Sequence, residues 1–583
     1  MAFLRNLLAT LAGLFIFSIL GIIILFAVMG AVAASGDEVP TVKDNSVLYM
    51  PLSGVIVEQE IDNPFEEVFG DEPAQLGLAD AINAIQAAKV DDKIKGIYIE
   101  TKYMGASFSS LQEIRDALLD FKESGKFVYA YGEYMSEGDY YIASVADEIY
   151  LNPQGALEFN GLAVNIMFYK GLFEKLDIEP VIFRPTSNKF KSFVEPYIRK
   201  DISEASKLQY SELLNSVYDF YLKNVADSRG IDQRELERIS DGMLVSFPAD
   251  AKKFGLVSQV EYEDVLKDVL RDSLGIDEGK DISYISWKDY AKVAKSKQEY
   301  SKDKIAVIVA NGAIYQSAGE DDGVGGEQFA RYIRKARKDK NVKAIVLRVN
   351  SPGGSLTGSD MIWREVMLTK GVKPIIASMS GVAASGGYYI SMAADTIVAQ
   401  PNTITGSIGI FSMLYNFENF LDKKLGLTHD VVGTGDYSDF ITVTRPFTEY
   451  ESMVMQSGVD NGYLTFTSKA AEGRGMTLED LQAVAEGRVW TGLQAKENGL
   501  VDVLGSYEDA LNLAADAAGI EDYSLKVYPQ QKPFFEKLMQ DLTGQAQSYF
   551  SQDDILAPYK KQLKTLKEMQ GIQARMPAEI EIH

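Results

Sequence analysis

An internal repeat constrains the fold of this chain more than any other feature of its sequence. When the sequence is shifted by 248 positions, two long stretches align without a gap. Residues 95–99 fall on residues 343–347, and residues 138–142 fall on residues 386–390. Self-similarity at a fixed distance is the signature of a duplicated unit. A chain of 583 residues is also too long to fold around one ordinary hydrophobic core, so at least two domains are expected.

Each half alternates strand-like runs with helical patterns. Residues 47–50 and 305–309 are short apolar runs with β-branched side chains, and residues 96–100 and 344–349 are the next strands of the two halves. The helical patterns between them share apolar residues at a spacing of four and three: Leu78, Ile82 and Ile85, then Phe329, Ile333 and Ala336. This alternation predicts an α/β fold in which each half is a parallel sheet with covering helices.

These patterns divide the chain into five parts. Residues 1–36 are a cytoplasmic tip and a transmembrane anchor. Residues 37–270 form the N-terminal repeat, and residues 305–525 form the C-terminal repeat. Residues 271–304 are charged and are predicted to be a helical connector. Residues 526–583 form a C-terminal extension with helical patterning.

The predicted anchor is a long apolar segment. Residues 7–32 contain no charged residue. This segment is longer than the roughly 20 residues that a helix needs to cross a bilayer. Arg5 precedes the segment, while Asp37 and Glu38 follow it, so the positive-inside tendency places the short N-terminus in the cytoplasm. The alternative is a cleaved signal peptide, because residues 31–33 read Ala-Val-Ala, although the apolar core is longer than in such peptides.

The amino-acid composition excludes several kinds of catalytic and metal-binding site. The chain has no cysteine, so a disulfide, a thiolate metal site and a cysteine nucleophile are impossible. Its two histidines, His429 and His583, are too few for a His-rich metal site, and no cofactor is expected. The net charge of −25 argues against nucleic acid as a partner. If a serine is the nucleophile, lysine becomes the leading candidate for its base.

The two halves differ at a serine. After the predicted strand at residues 374–379, the second half reads G-V-A-A-S-G-G, with Ser385 in a turn of small residues. This is a loosened form of the G-x-S-x-G nucleophile elbow, and the first half has Glu137 at the matching position. The second half also has two glycines in the run N-S-P-G-G-S at residues 350–355, where the first half keeps one. Such glycines leave backbone amides free to donate.

A lysine shows the opposite asymmetry. The first half has Lys191 in the run F-K-S-F-V-E-P, where the second half has Ser438 once the register slips by one. Each half therefore holds one type of catalytic residue that the other lacks, and a lysine can act as the base for a serine. Lys189 is the nearest alternative base, two residues away and on the same face if this stretch is extended.

Together these motifs resemble the signal peptide peptidase A (protease IV) family in its long, tandem-repeat bacterial form. The similarity covers nearly the whole chain and is most specific at residues 191–196, 351–354, 383–388 and 405–409. It implies a fold related to Clp protease and the crotonases, and a serine protease whose Ser-Lys dyad is built from both repeats. It also implies a homotetramer at the bacterial inner membrane, facing the periplasm, that degrades released signal peptides and other apolar peptides.

The resemblance also implies roles for individual residues. Ser385 is expected to attack the peptide carbonyl, and Lys191, in its neutral form, to accept the serine proton. Ser407 is expected to hold the lysine amine in line, although it could also be an ordinary turn serine. The amides of Gly354 and Gly386 are expected to form the oxyanion hole.

Two features bear on these roles. A free lysine has a pKa of about 10.4, so burial must lower the pKa of Lys191, to about 7–8, for it to act as a base. Phe193 stands where the family more usually has a small residue, which leaves the dyad intact but affects the size of the neighbouring pocket.

The sequence leaves two other functions open. A crotonase-like acyl-CoA enzyme would use the same glycine-rich loops for a thioester enolate, although no basic patch for the CoA phosphates is evident. A non-enzymatic membrane scaffold could keep a degenerate protease fold, although both residues of the dyad are present.

Overall fold

The structure is a computed structural model that describes residues 3, 5–7, 9–21, 39–60, 75–277, 279–297, 300–317, 323–530 and 572–576. The predicted anchor at residues 7–32 lies partly outside these ranges, and residues 9–21 of it are helical. Among the described residues, no helix has both the length and the apolar character that crossing a bilayer requires.

The described residues contain 21 strands. Their bounds are β1 Ser46–Val57, β2 Gln75–Gly77, β3 Ile94–Gly105, β4 Phe127–Met135, β5 Glu148–Leu157, β6 Glu179–Phe183, β7 Gln259–Val260, β8 Ser283–Ser286, β9 Lys304–Asn311, β10 Ile314–Tyr315, β11 Val324–Gly325, β12 Val342–Ser351, β13 Gly353–Ser355, β14 Ile375–Ala384, β15 Thr396–Ala399, β16 Ile404–Gly406, β17 Phe411–Asn416, β18 Val489–Thr491, β19 Val503–Leu504, β20 Ser524–Tyr528 and β21 Ile572–Arg575.

Helices connect these strands. Numbered from the first repeat onward, they are α1 Leu78–Val90, α2 Phe108–Lys122, α3 Glu137–Ala143, α4 Lys170–Leu176, α5 Glu195–Ile198, α6 Glu204–Arg229, α7 Gln233–Asp241, α8 Pro248–Lys253, α9 Glu263–Leu274, α10 Trp287–Ser296, α11 Gly326–Lys338, α12 Leu356–Thr369, α13 Gly386–Ser391, α14 Glu418–Phe420, α15 Glu449–Arg474, α16 Leu478–Val484, α17 Gly492–Glu497 and α18 Tyr507–Ala518. A 3-10 turn, Ser192–Val194, precedes α5.

The strands form three sheets within the described part of the chain. The first has the order β2-β1-β3-β4-β5-β7, with β8 also paired to β1, and all its pairs are parallel. The second has the order β18-β16-β14-β12-β9-β20, with β15 and β19 attached beside β14, and it is parallel except at β18. The predicted α/β fold with parallel sheets is therefore confirmed.

The duplication is visible in these two sheets. Helices α1 and α11 begin 248 positions apart, as do α2 and α12. Strands β1, β3 and β4 of the first sheet correspond to β9, β12 and β14 of the second. Apolar residues such as Leu48 and Ile97 in the first repeat, and Ile308 and Leu347 in the second, are fully buried beneath the helices. Each repeat thus has its own apolar core.

The structure describes two predicted segments in part. The predicted helical connector at residues 271–304 contains helix α10, Trp287–Ser296, and also a strand, because Ser283–Ser286 pairs in parallel with β1 and extends the first sheet. This strand has four residues between charged stretches, and its partner lies far away in the chain, so local patterning does not reveal it. The predicted helical patterning of the C-terminal extension lies largely outside the described residues, and residues 572–575 within it form a strand.

The third sheet joins the two repeats. Its order is β11-β10-β13-β21-β17-β6. Strand β6 comes from the first repeat and pairs in antiparallel register with β17 from the second, from Phe183 opposite Ser412 to Glu179 opposite Asn416. The chain that leaves β6 therefore runs along the second repeat, and this is the segment that contains Lys191.

Candidate active site

Ser385 lies at the turn between β14 and α13. Its φ of 56° and ψ of −112° lie outside the regions that L-residues normally adopt, a strain that is typical of functional turns. The Ser385 amide donates to the Gly406 carbonyl at 2.8 Å and fixes the turn. A Cβ on Gly387 would come within 2.5 Å of the Ser351 carbonyl oxygen. The small residues around Ser385 thus allow two loops to approach closely.

Lys191 reaches Ser385 from the first repeat. Its Nζ lies 2.8 Å from Ser385 Oγ, 3.0 Å from the Ser407 carbonyl oxygen and 3.0 Å from Ser407 Oγ. Lys191, Ser385 and Ser407 are all fully buried. Burial holds the pKa of the Lys191 amine well below its usual value, because desolvation penalises the charged form.

The geometry around Nζ suits a neutral amine. Such an amine has two hydrogens to donate and one lone pair. The Ser407 carbonyl oxygen can only accept, so it takes one N–H, and Ser407 Oγ can accept the other. The lone pair is then available to the Ser385 hydroxyl. The arrangement can therefore remove a proton from Ser385.

Contacts with the second repeat hold the backbone of Lys191. The Phe190 amide donates to the Glu486 carbonyl at 3.0 Å, and Asn188 Nδ2 donates to the Ile410 carbonyl at 3.0 Å. Gly487 has a φ of 79°, and a Cβ on it would come within 2.7 Å of Lys191 Cβ. Sequence reasoning missed Gly487; its only local signal is its place at the end of the helix-rich stretch after residue 448.

The glycine-rich loop after β12 lies beside Ser385. Gly353 and Gly354 have φ values of 96° and 154°, and a Cβ on Gly354 would come within 2.1 Å of the Ile314 carbonyl oxygen. A Cβ on Gly353 would come within 2.6 Å of the Gly386 amide nitrogen. The loop that contains Gly354 therefore lies against the residue that follows Ser385.

Three residues considered from the sequence lie elsewhere. The Lys189 side chain is 68% exposed and its Nζ is 3.8 Å from a carboxylate oxygen of Glu486. His429 is exposed, in the chain that follows β17. Ser438 is also exposed, and its hydroxyl donates to the Gly435 carbonyl at 2.8 Å. Of the two nearby lysines, Lys191 is the one that contacts Ser385.

Phe193 lies close to the site but outside the group around Nζ. Its ring is buried and stacks on Phe411, with the centroids 5.2 Å apart. The guanidinium carbon of Arg575 lies 5.6 Å from the Phe193 ring centroid. Phe193 therefore forms part of the wall next to β21.

The matching turn of the first repeat holds a carboxylate. Glu137 Oε1 accepts hydrogen bonds from the amides of Asn160 and Gly161, both at 2.8 Å. Burial raises the pKa of Glu137. Glu137 therefore occupies, in the first repeat, the position that Ser385 occupies in the second.

Comparison with protein families gives two matches. The model of peptidase family S49 matches twice, at residues 120–277 and 368–521, so the family unit is repeated in the chain. The model of Clp protease matches residues 296–405, a range that includes Ser385.

Several curated proteins are similar over much of the chain. Protease 4 of Salmonella typhi is 38% identical over 522 residues, which cover 85% of this chain and 82% of that protein. The chloroplastic serine protease SPPA of Arabidopsis thaliana is 32% identical over 92% of this chain and 78% of that protein. A putative signal peptide peptidase SppA of Enterococcus faecium is 38% identical over 36% of this chain and 63% of that protein.

Proposed function

Since this chain belongs to peptidase family S49 and is a serine protease, we propose that it degrades released signal peptides with Ser385 as nucleophile and Lys191 as general base. The observation that carries the proposal is the 2.8 Å separation of Lys191 Nζ and Ser385 Oγ among fully buried, uncharged partners. The family assignment replaces the two alternatives that the sequence left open, which were an acyl-CoA enzyme and a non-enzymatic scaffold.

The first step is attack on a peptide carbonyl. Neutral Lys191 accepts the hydroxyl proton of Ser385 as Oγ forms a bond to the carbonyl carbon. Ser407 keeps the amine aimed at Ser385, because both of its oxygens accept N–H bonds from Nζ. The lowered pKa of Lys191 supports this role, since only the neutral amine has a lone pair to accept the proton.

The second step releases the two halves of the peptide. The amides of Gly354 and Gly386 donate to the oxygen that becomes negative when Ser385 attacks, and one such donor contributes about 2.7–4 kcal/mol to lowering the barrier. Protonated Lys191 then gives its proton to the leaving amine. Water, activated by the same lysine, hydrolyses the acyl-enzyme and frees Ser385.

Two alanine variants test the dyad. Ser385→Ala should lower kcat for an apolar peptide by about 10⁶-fold, as expected when a nucleophile is removed. Lys191→Ala should lower it by at least about 10²-fold, because the general base is lost. Lys189→Ala is the matched control: this exposed lysine lies two residues from Lys191, and its loss should leave kcat unchanged. Retained activity in either of the first two variants would rule out the dyad.

The cellular setting is part of the same proposal. Residues 7–32 anchor the chain in the bacterial inner membrane, and the domains after residue 36 face the periplasm as a homotetramer. Spent signal peptides are apolar and stay in the bilayer, so an anchored protease meets them in two dimensions. In this division the first repeat, residues 37–270, supplies Lys191, and the second, residues 305–525, supplies Ser385 in a Clp protease/crotonase-like unit. A soluble mature chain that begins near Ala34 would contradict the anchor.

A further inference from the structure

Arg488 lies where the segment that contains Lys191 meets the strand beside Ser407. It immediately precedes β18, which pairs with β16 so that Val489 lies opposite Gly406. The Arg488 carbonyl oxygen accepts a hydrogen bond from the Ser407 amide at 2.6 Å. Ser407 has a φ of 50°, which is uncommon for a residue with a side chain, so this turn depends on such a partner. The backbone of Arg488 therefore fixes the residue whose two oxygens accept from Lys191 Nζ.

The side chain of Arg488 reaches the segment that contains the lysine. Its guanidinium carbon lies 5.0 Å from the ring centroid of Phe190, the residue before Lys191, and 4.1 Å from that of Trp490. A guanidinium group at such distances is attracted to the face of an aromatic ring. The same group forms an ion pair with Glu212 on α6 of the first repeat. The Arg488 side chain thus joins elements of both repeats next to the dyad.

The residues on either side of Arg488 also contact the first repeat. The Val489 amide donates to Oε1 of Gln209, a buried residue of α6, at 3.0 Å. Gln209 Nε2 donates to the carbonyl of the residue before Lys191 at 3.4 Å. On the other side, a Cβ on Gly487 would come within 2.7 Å of Lys191 Cβ. The two repeats are therefore in close contact at the base of the lysine side chain.

We propose that Arg488 is a positioning residue that holds the backbone of Lys191 against the turn at Ser407. Through these contacts it keeps the lysine amine buried and aimed at the serine hydroxyl. Its guanidinium group acts through Phe190 and its carbonyl through Ser407, and neither acts on the reacting atoms. This inference rests on the proposed function of Ser385 and Lys191.

The pH dependence of peptide hydrolysis tests this role. Arg488→Ala should loosen the segment around Phe190 and let water reach the lysine amine. Since desolvation is what lowers the pKa of Lys191, the midpoint of the kcat profile should move upward by at least about half a pH unit. The kcat should fall at neutral pH and recover at high pH, while KM stays near that of the wild type. A loss of folded enzyme alone would lower kcat by the same factor at every pH.

Two further variants serve as controls. Arg488→Lys keeps a cation beside the two aromatic rings and should keep a midpoint close to that of the wild type. Arg474→Ala removes another arginine of the second repeat, whose partners, Asp502 and the Gly499 carbonyl, belong to that repeat as well. It should leave the midpoint unchanged.

The outcomes separate this role from the proposed function. An unchanged midpoint in Arg488→Ala, or an equal shift in Arg474→Ala, would overturn the positioning role and leave the dyad standing. Full activity in Lys191→Ala would overturn both.

Glu212→Gln tests the same role with the arginine in place. Glutamine has the shape of glutamate and the Glu212 side chain is 42% exposed, so this variant should fold. Loss of a negative charge would by itself lower the pKa of a nearby lysine. Release of Arg488 from α6 would instead raise it, so the positioning role predicts an upward shift of the midpoint. A midpoint that falls, or that equals the wild-type value, would overturn the role.

Discussion

Lys191 is a buried amine with three hydrogen-bond partners, Ser385 Oγ and the two oxygens of Ser407, that carry no charge. Its lowered pKa has one named cause, which is desolvation. A lysine of this kind lowers the free energy of unfolding at pH values below the usual lysine pKa. The reason is that the unfolded chain binds a proton at this amine, whereas the folded chain leaves the amine neutral. The lowered pKa that would let Lys191 act as a base therefore reduces the stability of the folded chain by an amount that can be measured.

Replacement of Lys191 should reveal that cost. Between the lowered folded pKa and the usual value of 10.5, the unfolded chain binds more protons, so wild-type stability increases as the pH rises through this window. Lys191→Met lacks this ionisation and should have the higher free energy of unfolding at neutral pH. Its advantage should shrink as the pH approaches 10.5. Denaturant unfolding at several pH values measures this difference, and the exposed Lys189→Met is the control. An advantage that does not change with pH would contradict a neutral buried amine.

Single residues differ in how well the sequence predicts them. The turn at Ser385 could be recognised because its small neighbours are adjacent in the chain. Gly487 could not, because its requirement for glycine arises from contact with Lys191, which lies about 300 positions earlier. Phe193 departs from the small residue that is more usual at this place in the family, but its position beside Arg575 depends on a strand from the far end of the chain.

At the scale of elements, the groove between β13 and β17 defines the site. Without β21 these two strands would each present an unpaired edge to an incoming peptide. With β21 in place, both edges are paired and Ser385 is covered. The C-terminal segment is therefore expected to compete with external substrates.

Removal of that segment should raise the initial rate. A chain that lacks residues 572–583 should hydrolyse an external peptide several-fold faster at early times, because a tethered competitor acts at an effective concentration of about millimolar. A chain that lacks only residues 577–583 keeps β21 and is the control, which should start as slowly as the intact protein. Initial rates from stopped-flow assays measure the effect. Equal rates for the two shortened chains would contradict competition by β21.

Strands β3 and β12 were predictable from the sequence, whereas β8 of the first sheet and β21 of the third were not. Strands β3 and β12 lie in aligned stretches of the duplicated sequence, and their buried apolar runs are strong local signals. Strand β8 has only four residues, and β21 lies in an extension with helical patterning. Each of these two strands is stabilised by partners more than 150 positions away, so no local pattern could assign them.

At the scale of the whole molecule, a buried ion cluster joins the repeats near the site. Arg348, on β12 of the second repeat, lies 2.8 Å from Glu58 and 2.8 Å from Glu113 of the first. The guanidinium group also donates to Ser378 and Ser380 on β14, the strand that leads to Ser385. The relative position of the repeats, and with it the approach of Lys191, depends on such contacts.

Loss of this cation should destabilise the whole molecule. Arg348→Met leaves two buried carboxylates without their positive partner and should lower the free energy of unfolding by about 3–5 kcal/mol. Arg331→Met is the control, because its ion pair with Glu327 is exposed and should contribute at most about 1 kcal/mol. Equilibrium denaturation of both variants gives the comparison. A similar small loss in each would show that the cluster does not hold the repeats together.

The central claim is that Lys191 activates Ser385, and the pH dependence of covalent labelling tests it most directly. The rate at which a fluorophosphonate modifies the protein is measured against pH for the wild type and for Lys191→Met, and the modified residue is identified by peptide mapping. We predict that the wild type is labelled at Ser385 with a rate that rises through a midpoint well below pH 10.5, and that Lys191→Met is labelled far more slowly at every pH. Equal labelling of Ser385 in the two proteins, or labelling of another residue, would contradict the claim.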